Sequence, residues 1–110
     1  MRVEMKRHDK YYVYILKCAD DSYYTGYTRD LNKRIIEHQT GRGANYTKHR
    51  LPVRLVYCKV CTYYENALKA EKRLKHMMRA RKETLIKIYQ KNNPRCFAKQ
   101  NKARGDHYHD

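Results

Sequence analysis

An arginine and a histidine four positions apart are the first residues whose types and spacing suggest chemistry. Arg34 and His38 lie in LNKRIIEHQT, where Leu31 and Ile35 recur near helical spacing. Residues four apart share one face of a helix, so both side chains would point the same way at the border of the apolar face. An arginine held at the edge of a core suits a bidentate contact with phosphate. A solvated arginine and histidine on a basic helix would show the same spacing.

A glutamate further along the chain has an unusual position. Glu71 follows Ala67 by four residues and precedes Leu74 by three, which places it on or beside an apolar helical stripe. The earlier acid Glu65 is explained by a capping box that starts at Thr62. A carboxylate against an apolar stripe is costly unless it is paired or bound to a cation. The spacing leaves two readings open: a salt bridge to a neighbouring lysine, or a ligand for a divalent metal.

Tyrosine is the third candidate group. The chain has 12 tyrosines, one Phe and no Trp, and Tyr12, Tyr14 and Tyr24 fall on two predicted neighbouring strands. A tyrosine hydroxyl ordinarily has a pKa of about 10, so it is a poor base until cations lower that value. Aromatic packing between strands is the structural alternative.

The elements that must position these residues can be read from the hydrophobic pattern. YYVYILKC and YYTGY predict two strands joined by a short polar turn, and Gly26 in the second strand indicates a bulge or a close backbone approach. Asp30 is the expected N-cap of the next helix, and Gly41 is its expected stop. The remaining elements are a strand at 53–61, a helix from about residue 63, and a periodic stretch around Leu85 that ends at 92–94.

The predicted fold class is α/β in the α+β sense: a three-stranded antiparallel sheet flanked by helices, in the order β-β-α-β-α-α. The long loop GRGANYTKHR is rich in glycine and basic residues, which is typical of a ligand-facing loop. We expect a flexible N-terminus at 1–9, one domain at 10–91 and a basic flexible tail at 92–110.

Charge is the strongest feature of the composition. Lys and Arg number 26 against 11 acids, for a formal net charge of +15. This excess favours a polyanionic partner, and its spread along the whole chain favours nucleic acid over a membrane surface. The absence of a secretory signal and of a long apolar run predicts an intracellular, cytoplasmic protein, with nucleoid association compatible. Cys58 and Cys61 form a lone CxxC, for which four free thiols and a structural zinc site are the alternatives.

Together these residues resemble the GIY-YIG nuclease family, specifically its small stand-alone bacterial members. The first family motif is matched by YVY at 12–14 and the second by YTG at 24–26. Arg34 with His38 matches the arginine helix, the A-x-Y-T core at 44–47 matches the basic loop, and Glu71 matches the glutamate of the later helix. The resemblance covers roughly residues 11–88, and the ordered set is far more specific than any single motif.

The resemblance implies hydrolysis of a phosphodiester with a divalent metal, Mg²⁺ or Mn²⁺. Glu71 would bind the metal, Arg34 would clamp a phosphate oxygen, and His38 would support the water or the phosphate. Tyr24, or less readily Tyr14, would orient or deprotonate the attacking water. We expect the nucleic acid to be contacted by Gly26, Arg29, Lys33, Tyr46, Lys48 and His49.

Two positions depart from the family pattern. Tyr12 stands where the first motif has glycine, and Tyr27 stands where repair-type relatives carry a lysine directly after the second motif. The cation that activates a tyrosine would then come from Arg29, Lys33 or elsewhere.

The leading hypothesis is therefore a metal-dependent DNA endonuclease of low sequence specificity, with DNA repair or processing as its setting by analogy with relatives. It needs no small-molecule cofactor and no membrane partner. The alternatives are a nucleic-acid-binding module of the same fold that has lost turnover, and an RNA-binding or ribosome-associated protein.

Overall fold

The computed structural model describes residues 10–93, and its elements follow the predicted order. A single short helix within the glycine-rich loop is the one addition to that order among the described residues. The expected flexible segment at 1–9 and most of the expected tail at 92–110 lie outside the described residues. The elements are β1 (Tyr11–Lys17), β2 (Tyr23–Thr28), α1 (Leu31–Gln39), α2 (Asn45–Lys48), β3 (Arg54–Cys61), α3 (Tyr64–Lys75) and α4 (Arg79–Asn92).

The three strands form one antiparallel sheet in the order β2-β1-β3, so β1 is central and the other two strands are edges. In the register, Tyr14 lies opposite Gly26 on β2 and opposite Cys58 on β3. The pairing of β1 with β3 shifts between Ile15 and Leu16, which indicates a bulge.

Alternation along β1 divides the core into two layers. Val13 and Ile15 point to the layer formed with α3 and α4, which includes Ala67 and Leu74. Tyr14 and Leu16 point to the opposite layer, together with Ile35, Val53, Leu55 and Cys18. The sheet therefore presents Tyr14 to the face that α1 covers.

The ends of α1 are those that the sequence predicts. Asp30 is the N-cap, and its carboxylate accepts a hydrogen bond of 3.2 Å from the backbone N–H of Lys33. Beyond the other end, Gly41 has a φ of 82°, a left-handed conformation that glycine adopts without strain. This capping fixes where α1 starts, and so it fixes the rotation that turns Arg34 and His38 toward the sheet.

The capping box predicted from Thr62 to Glu65 is wrong. The N-cap of α3 is Tyr63, and no side chain caps this end. The helix starts at Tyr64, whose ring packs 5.6 Å from Tyr11 and 5.9 Å from Tyr27, measured between ring centroids. Tertiary aromatic contacts, which local spacing does not encode, accompany the start of this helix.

The CxxC pair lies on β3, where Cys58 is half-buried and Cys61 is buried, and both thiols are free. Positions three apart on a strand point to opposite faces, so the two sulfurs do not converge on one ion. None of the helices described combines the length and apolar character that crossing a membrane requires.

Candidate active site

A chain of buried hydrogen bonds joins β1, α1 and α2. The Tyr14 hydroxyl lies 2.8 Å from Nε2 of His38, and Nδ1 of the same ring lies 2.8 Å from Oγ1 of Thr47. The Thr47 hydroxyl in turn lies 3.0 Å from the carbonyl oxygen of Ala44. His38 and Thr47 have no exposed surface, and Tyr14 is 1% exposed.

This chain determines the tautomer of His38. A threonine hydroxyl has one proton, which Thr47 donates to the Ala44 carbonyl, so Thr47 can only accept from His38. Nδ1 of His38 therefore carries the ring proton and donates it to Thr47, while Nε2 accepts the proton of the Tyr14 hydroxyl. Burial, with a smaller contribution from the positive charge of Arg34, lowers the pKa of His38 from 6.5 to about 4, so the ring is neutral at pH 7.

Two glycines allow this close packing. A Cβ on Gly43 would overlap Nδ1 of His38, and its next contact would be only 2.8 Å from Cγ of the same ring. A Cβ on Gly26 would lie 2.8 Å from the Tyr14 hydroxyl and 3.1 Å from Cε2 of Tyr24. The close approach that Gly26 predicts from the sequence is thus an approach to the two motif tyrosines.

Arg34 completes the cluster from the first turns of α1. Its guanidinium donates a hydrogen bond to the Tyr14 hydroxyl oxygen and another, of 2.9 Å, to Oε1 of Glu37. Burial raises the pKa of Tyr14 to about 12, although the hydrogen bond from Arg34 opposes that rise. Arg34 therefore is the cation next to Tyr14, and two-thirds of its side chain is buried.

Glu71 lies on α3 with only 18% of its side chain exposed, next to the buried Ala70 and Leu74. Its carboxylate forms an ion pair of 3.4 Å with Lys75. The hydrogen bond with Tyr64 is the main cause that raises the pKa of Tyr27, and burial is the main cause for Tyr14; the negative charge of Glu71 contributes to both.

Tyr24 borders the cluster on the solvent side. Its ring centroid is 5.1 Å from that of His38 and 6.4 Å from that of Tyr14, and it stacks on Tyr46 at 6.0 Å. The guanidinium of Arg50 covers the Tyr46 ring at 3.7 Å. Tyr24 is half-buried, and its hydroxyl makes no hydrogen bond to any of the residues 10–93.

The remaining predicted contact residues lie further out. Lys33, Lys48 and His49 are exposed, on α1, on α2 and at the end of α2. Arg29 lies over the ring of Tyr11, 5.1 Å from its centroid. Its expected role as the cation that activates a tyrosine stays a prediction.

Sequence reasoning missed Thr47, Gly43 and Arg50. Thr47 belongs to the A-x-Y-T motif, in which the aromatic Tyr46 is the residue whose type indicates base stacking. A threonine between two exposed positions, Tyr46 and Lys48, carries no hydrophobic pattern that would indicate burial. Only the fold of the loop over α1 brings Thr47 to the His38 ring.

The chain is similar to known proteins of one family. Residues 10–84 match the model of the GIY-YIG catalytic domain. A UPF0213 protein of Staphylococcus saprophyticus is 51% identical over 78 residues, which cover 71% of this chain and 95% of that protein. A UPF0213 protein of Streptococcus pneumoniae is 44% identical over 84 residues, covering 76% of this chain and 85% of the other.

The chain is also similar to a solved structure. The protein EF2693 from E. faecalis is 36% identical, has a TM-score of 0.52, and is matched over 74% of this chain and 86% of its own. The GIY-YIG catalytic domain is characteristic of endonucleases, which act on nucleic acid and generally use divalent metal ions. With more than half of its length matched, the chain belongs to the GIY-YIG family.

Proposed function

We propose that this protein is a metal-dependent DNA endonuclease with low sequence specificity. The observation that carries the proposal is the convergence of Tyr14, Arg34 and His38 in one hydrogen-bonded cluster, with the carboxylate of Glu71 close enough to affect the pKa of Tyr14. A buried tyrosine with a neutral histidine as its proton acceptor is an arrangement for moving a proton. An arginine beside it supplies a clamp for a phosphate oxygen.

Arg34 binds the scissile phosphate in this proposal. Its guanidinium donates to Oε1 of Glu37 at 2.9 Å and also interacts with the Tyr14 hydroxyl. A guanidinium has five N–H donors, so donors are left for a non-bridging phosphate oxygen. The two existing contacts orient the guanidinium plane before substrate arrives, which avoids reorganisation as negative charge develops.

The attacking water is oriented by Tyr24, and its proton leaves through Tyr14. Tyr24 fits the first role because it faces solvent and its hydroxyl makes no hydrogen bond to the described residues. Tyr14 fits the second because it can accept a proton on its oxygen while its own proton passes to Nε2 of His38. His38 then becomes an imidazolium that keeps its Nδ1–H bond to Thr47.

The low pKa of His38 makes the free protein a weak base. Burial is the main cause, and the charge of Arg34 is the second. A phosphodiester bound by Arg34 would offset that positive charge, so the pKa of His38 would rise when substrate binds. The His38 ring would therefore be the strongest proton acceptor when substrate is bound.

The residues fit the divalent metal that the family uses. Mg²⁺ is commonly held by one or two carboxylates, substrate phosphate oxygens and several waters, so it does not need a cage of protein ligands. Within residues 10–93 no three His, Cys, Asp or Glu side chains cluster, which suits Mg²⁺ better than zinc. Glu71 would hold the ion after releasing Lys75, and the bound ion would neutralise charge on the phosphate.

A nucleic-acid-binding module without turnover is the second candidate. The ion pair between Lys75 and Glu71 favours it, because that pair already satisfies the carboxylate. The position after the second motif favours it too, since Tyr27 there hydrogen-bonds to Tyr64 at 3.3 Å and supplies no charge.

A nicking assay separates the two candidates. Supercoiled plasmid is incubated with Mg²⁺ or Mn²⁺ and the wild type, Glu71→Gln, or Glu83→Gln. Glu83 is the matched control, because it also forms an i,i+4 ion pair on a helix, with Arg79 at 2.8 Å. We expect Glu71→Gln to lose about 100-fold or more in nicking rate, and Glu83→Gln to stay near wild type.

Two outcomes contradict the enzyme assignment. One is equal nicking by Glu71→Gln and the wild type, which would point to a contaminating nuclease. The other is no nicking by the wild type with either metal while DNA is still bound, which supports the binding module.

A further inference from the structure

A basic groove lies between α3 and α4 and continues to β3. Its larger part is a cavity of about 660 Å³ lined by residues that include Lys72 and Arg81. Its smaller part, of about 330 Å³, is bordered by Lys59 and Tyr63. Lys69 and Arg73 line both parts, so the two cavities adjoin along one side of α3.

The charge of this groove is uncompensated. Five Lys or Arg residues line its two parts, and the lining contains no Asp or Glu. Within the described range, Lys69, Lys72, Arg73 and Arg81 form no ion pair. The neighbouring cations of the same two helices, Lys75 and Arg79, are each paired with a glutamate. Cations left unpaired along a concave surface concentrate positive potential there.

The groove is separate from the catalytic cluster, which consists of Tyr14, Arg34 and His38. At 3.6 residues per turn, Lys69 and Arg73 are each displaced by roughly 160° around α3 from Glu71. The groove borders β3, whereas the catalytic cluster lies beside β2, and these strands are the opposite edges of the sheet. A ligand in the groove therefore does not compete with one at Arg34.

The basic groove also has exposed side chains on which nucleobases can pack. Tyr63 is 64% exposed at the β3 end, and Met78 is 77% exposed at the α4 end. Unstacked bases of a single strand can pack on such side chains, while the bases of a duplex are already stacked on each other. Unpaired cations beside an exposed aromatic ring favour a single strand over a duplex or an acidic protein.

We propose that the basic groove binds single-stranded DNA as a second site, while the catalytic cluster acts on a separate segment. This proposal rests on the proposed function, and it narrows the substrate to DNA in which a single-stranded segment adjoins the cleaved segment. The groove holds the phosphate backbone of the single strand through Lys69, Lys72, Arg73 and Arg81. Its contribution is affinity and placement, and the chemistry of cleavage stays with Arg34 and Glu71.

The test measures binding without cleavage. The background is Glu71→Gln, with a labelled single strand of about 20 nucleotides, several salt concentrations, and no divalent metal. The groove variant is Lys69→Gln with Lys72→Gln. The matched control is Lys87→Gln with Lys91→Gln, two exposed lysines on α4 outside the groove. Both variants remove two helical lysines, so net charge and helix propensity change equally.

We expect the groove variant to bind about 25-fold more weakly at 0.1 M salt, with the slope of log K against log salt smaller by about 1.4. The control should bind nearly as the parent does, and binding of a duplex of equal length should be weakened less than binding of the single strand.

Equal losses of affinity in both variants would overturn the groove as a site. Equal losses for duplex and single strand would overturn its preference. Tighter binding of RNA than of DNA, or equally effective competition by polyglutamate, would overturn the assigned ligand. Because no step depends on cleavage, an inactive wild type leaves this test intact.

Discussion

Replacing Thr47 by valine tests whether the buried hydrogen-bond chain sets the basicity of His38. Valine nearly matches threonine in shape but has no hydroxyl, so it removes the acceptor 2.8 Å from Nδ1 of His38. His38 and Thr47 are both fully buried, so water does not readily replace that acceptor. Nδ1 then either keeps a buried proton without a partner, or loses it to Nε2.

Both responses weaken the proton acceptor of Tyr14. A buried donor without a partner costs about 1–3 kcal/mol, and we expect the free energy of unfolding to fall by that amount. In the other tautomer, Nε2 carries a proton and no longer accepts from the Tyr14 hydroxyl. If the same 1–3 kcal/mol enters the barrier for cleavage, the rate falls by about 5- to 150-fold.

Three measurements follow this change. Single-turnover nicking gives the rate, urea unfolding gives the stability, and ¹⁵N chemical shifts of the His38 ring report its tautomer. Thr47→Ser is the control, because serine keeps an oxygen that can accept from Nδ1 and donate to Ala44. Wild-type nicking by Thr47→Val, or a Thr47→Ser variant as slow as Thr47→Val, would show that the Thr47 hydroxyl does not set the basicity of His38.

Three further predictions concern the same cluster. The pKa of His38 in the folded protein, about 4, lies below its ordinary value of 6.5, so the unfolded chain binds a proton first as pH falls. The free energy of unfolding should therefore fall by about 3 kcal/mol between pH 7 and pH 4. Urea unfolding across that range should show a smaller loss for His38→Gln, and parallel curves would contradict the assignment. Gly26→Ala places a Cβ 2.8 Å from the Tyr14 hydroxyl, so the free energy of unfolding should fall by about 1–3 kcal/mol and nicking should slow. An unchanged urea midpoint would show that the two tyrosine side chains move aside without cost. Arg34→Lys keeps the positive charge but loses the planar N–H donors that face Tyr14, Glu37 and the phosphate. The nicking rate should therefore drop at least tenfold, and a wild-type rate would show that the charge alone is sufficient.

Local chemistry made much of the fold predictable. Alternation in YYVYILK places Tyr14 and Leu16 on one face of β1, and the structure has them in the same core layer. Asp30 caps α1 as predicted, which fixes the helical phase of Arg34 and His38. The position of Glu71 beside the apolar stripe was predicted from its spacing alone, and 18% exposure of its side chain agrees with it.

Other features depended on contacts between distant segments. The capping box at Thr62 failed at the helix end where Tyr64 packs against Tyr11 and Tyr27. Spacing leaves two interpretations for Glu71; the structure contains the ion pair with Lys75, and the negative charge of Glu71 is a minor contribution to the raised pKa of Tyr14.

The sequence by itself determined which residue types are available and which of them share a face of a helix or strand. It determined this because helical and strand periodicities are properties of neighbouring residues. Only the tertiary structure decided that His38 lies between Tyr14 and Thr47, 24 and nine residues away along the chain. The tautomer and the low pKa of His38 follow from those two partners and from burial, and neither partner is its neighbour in sequence.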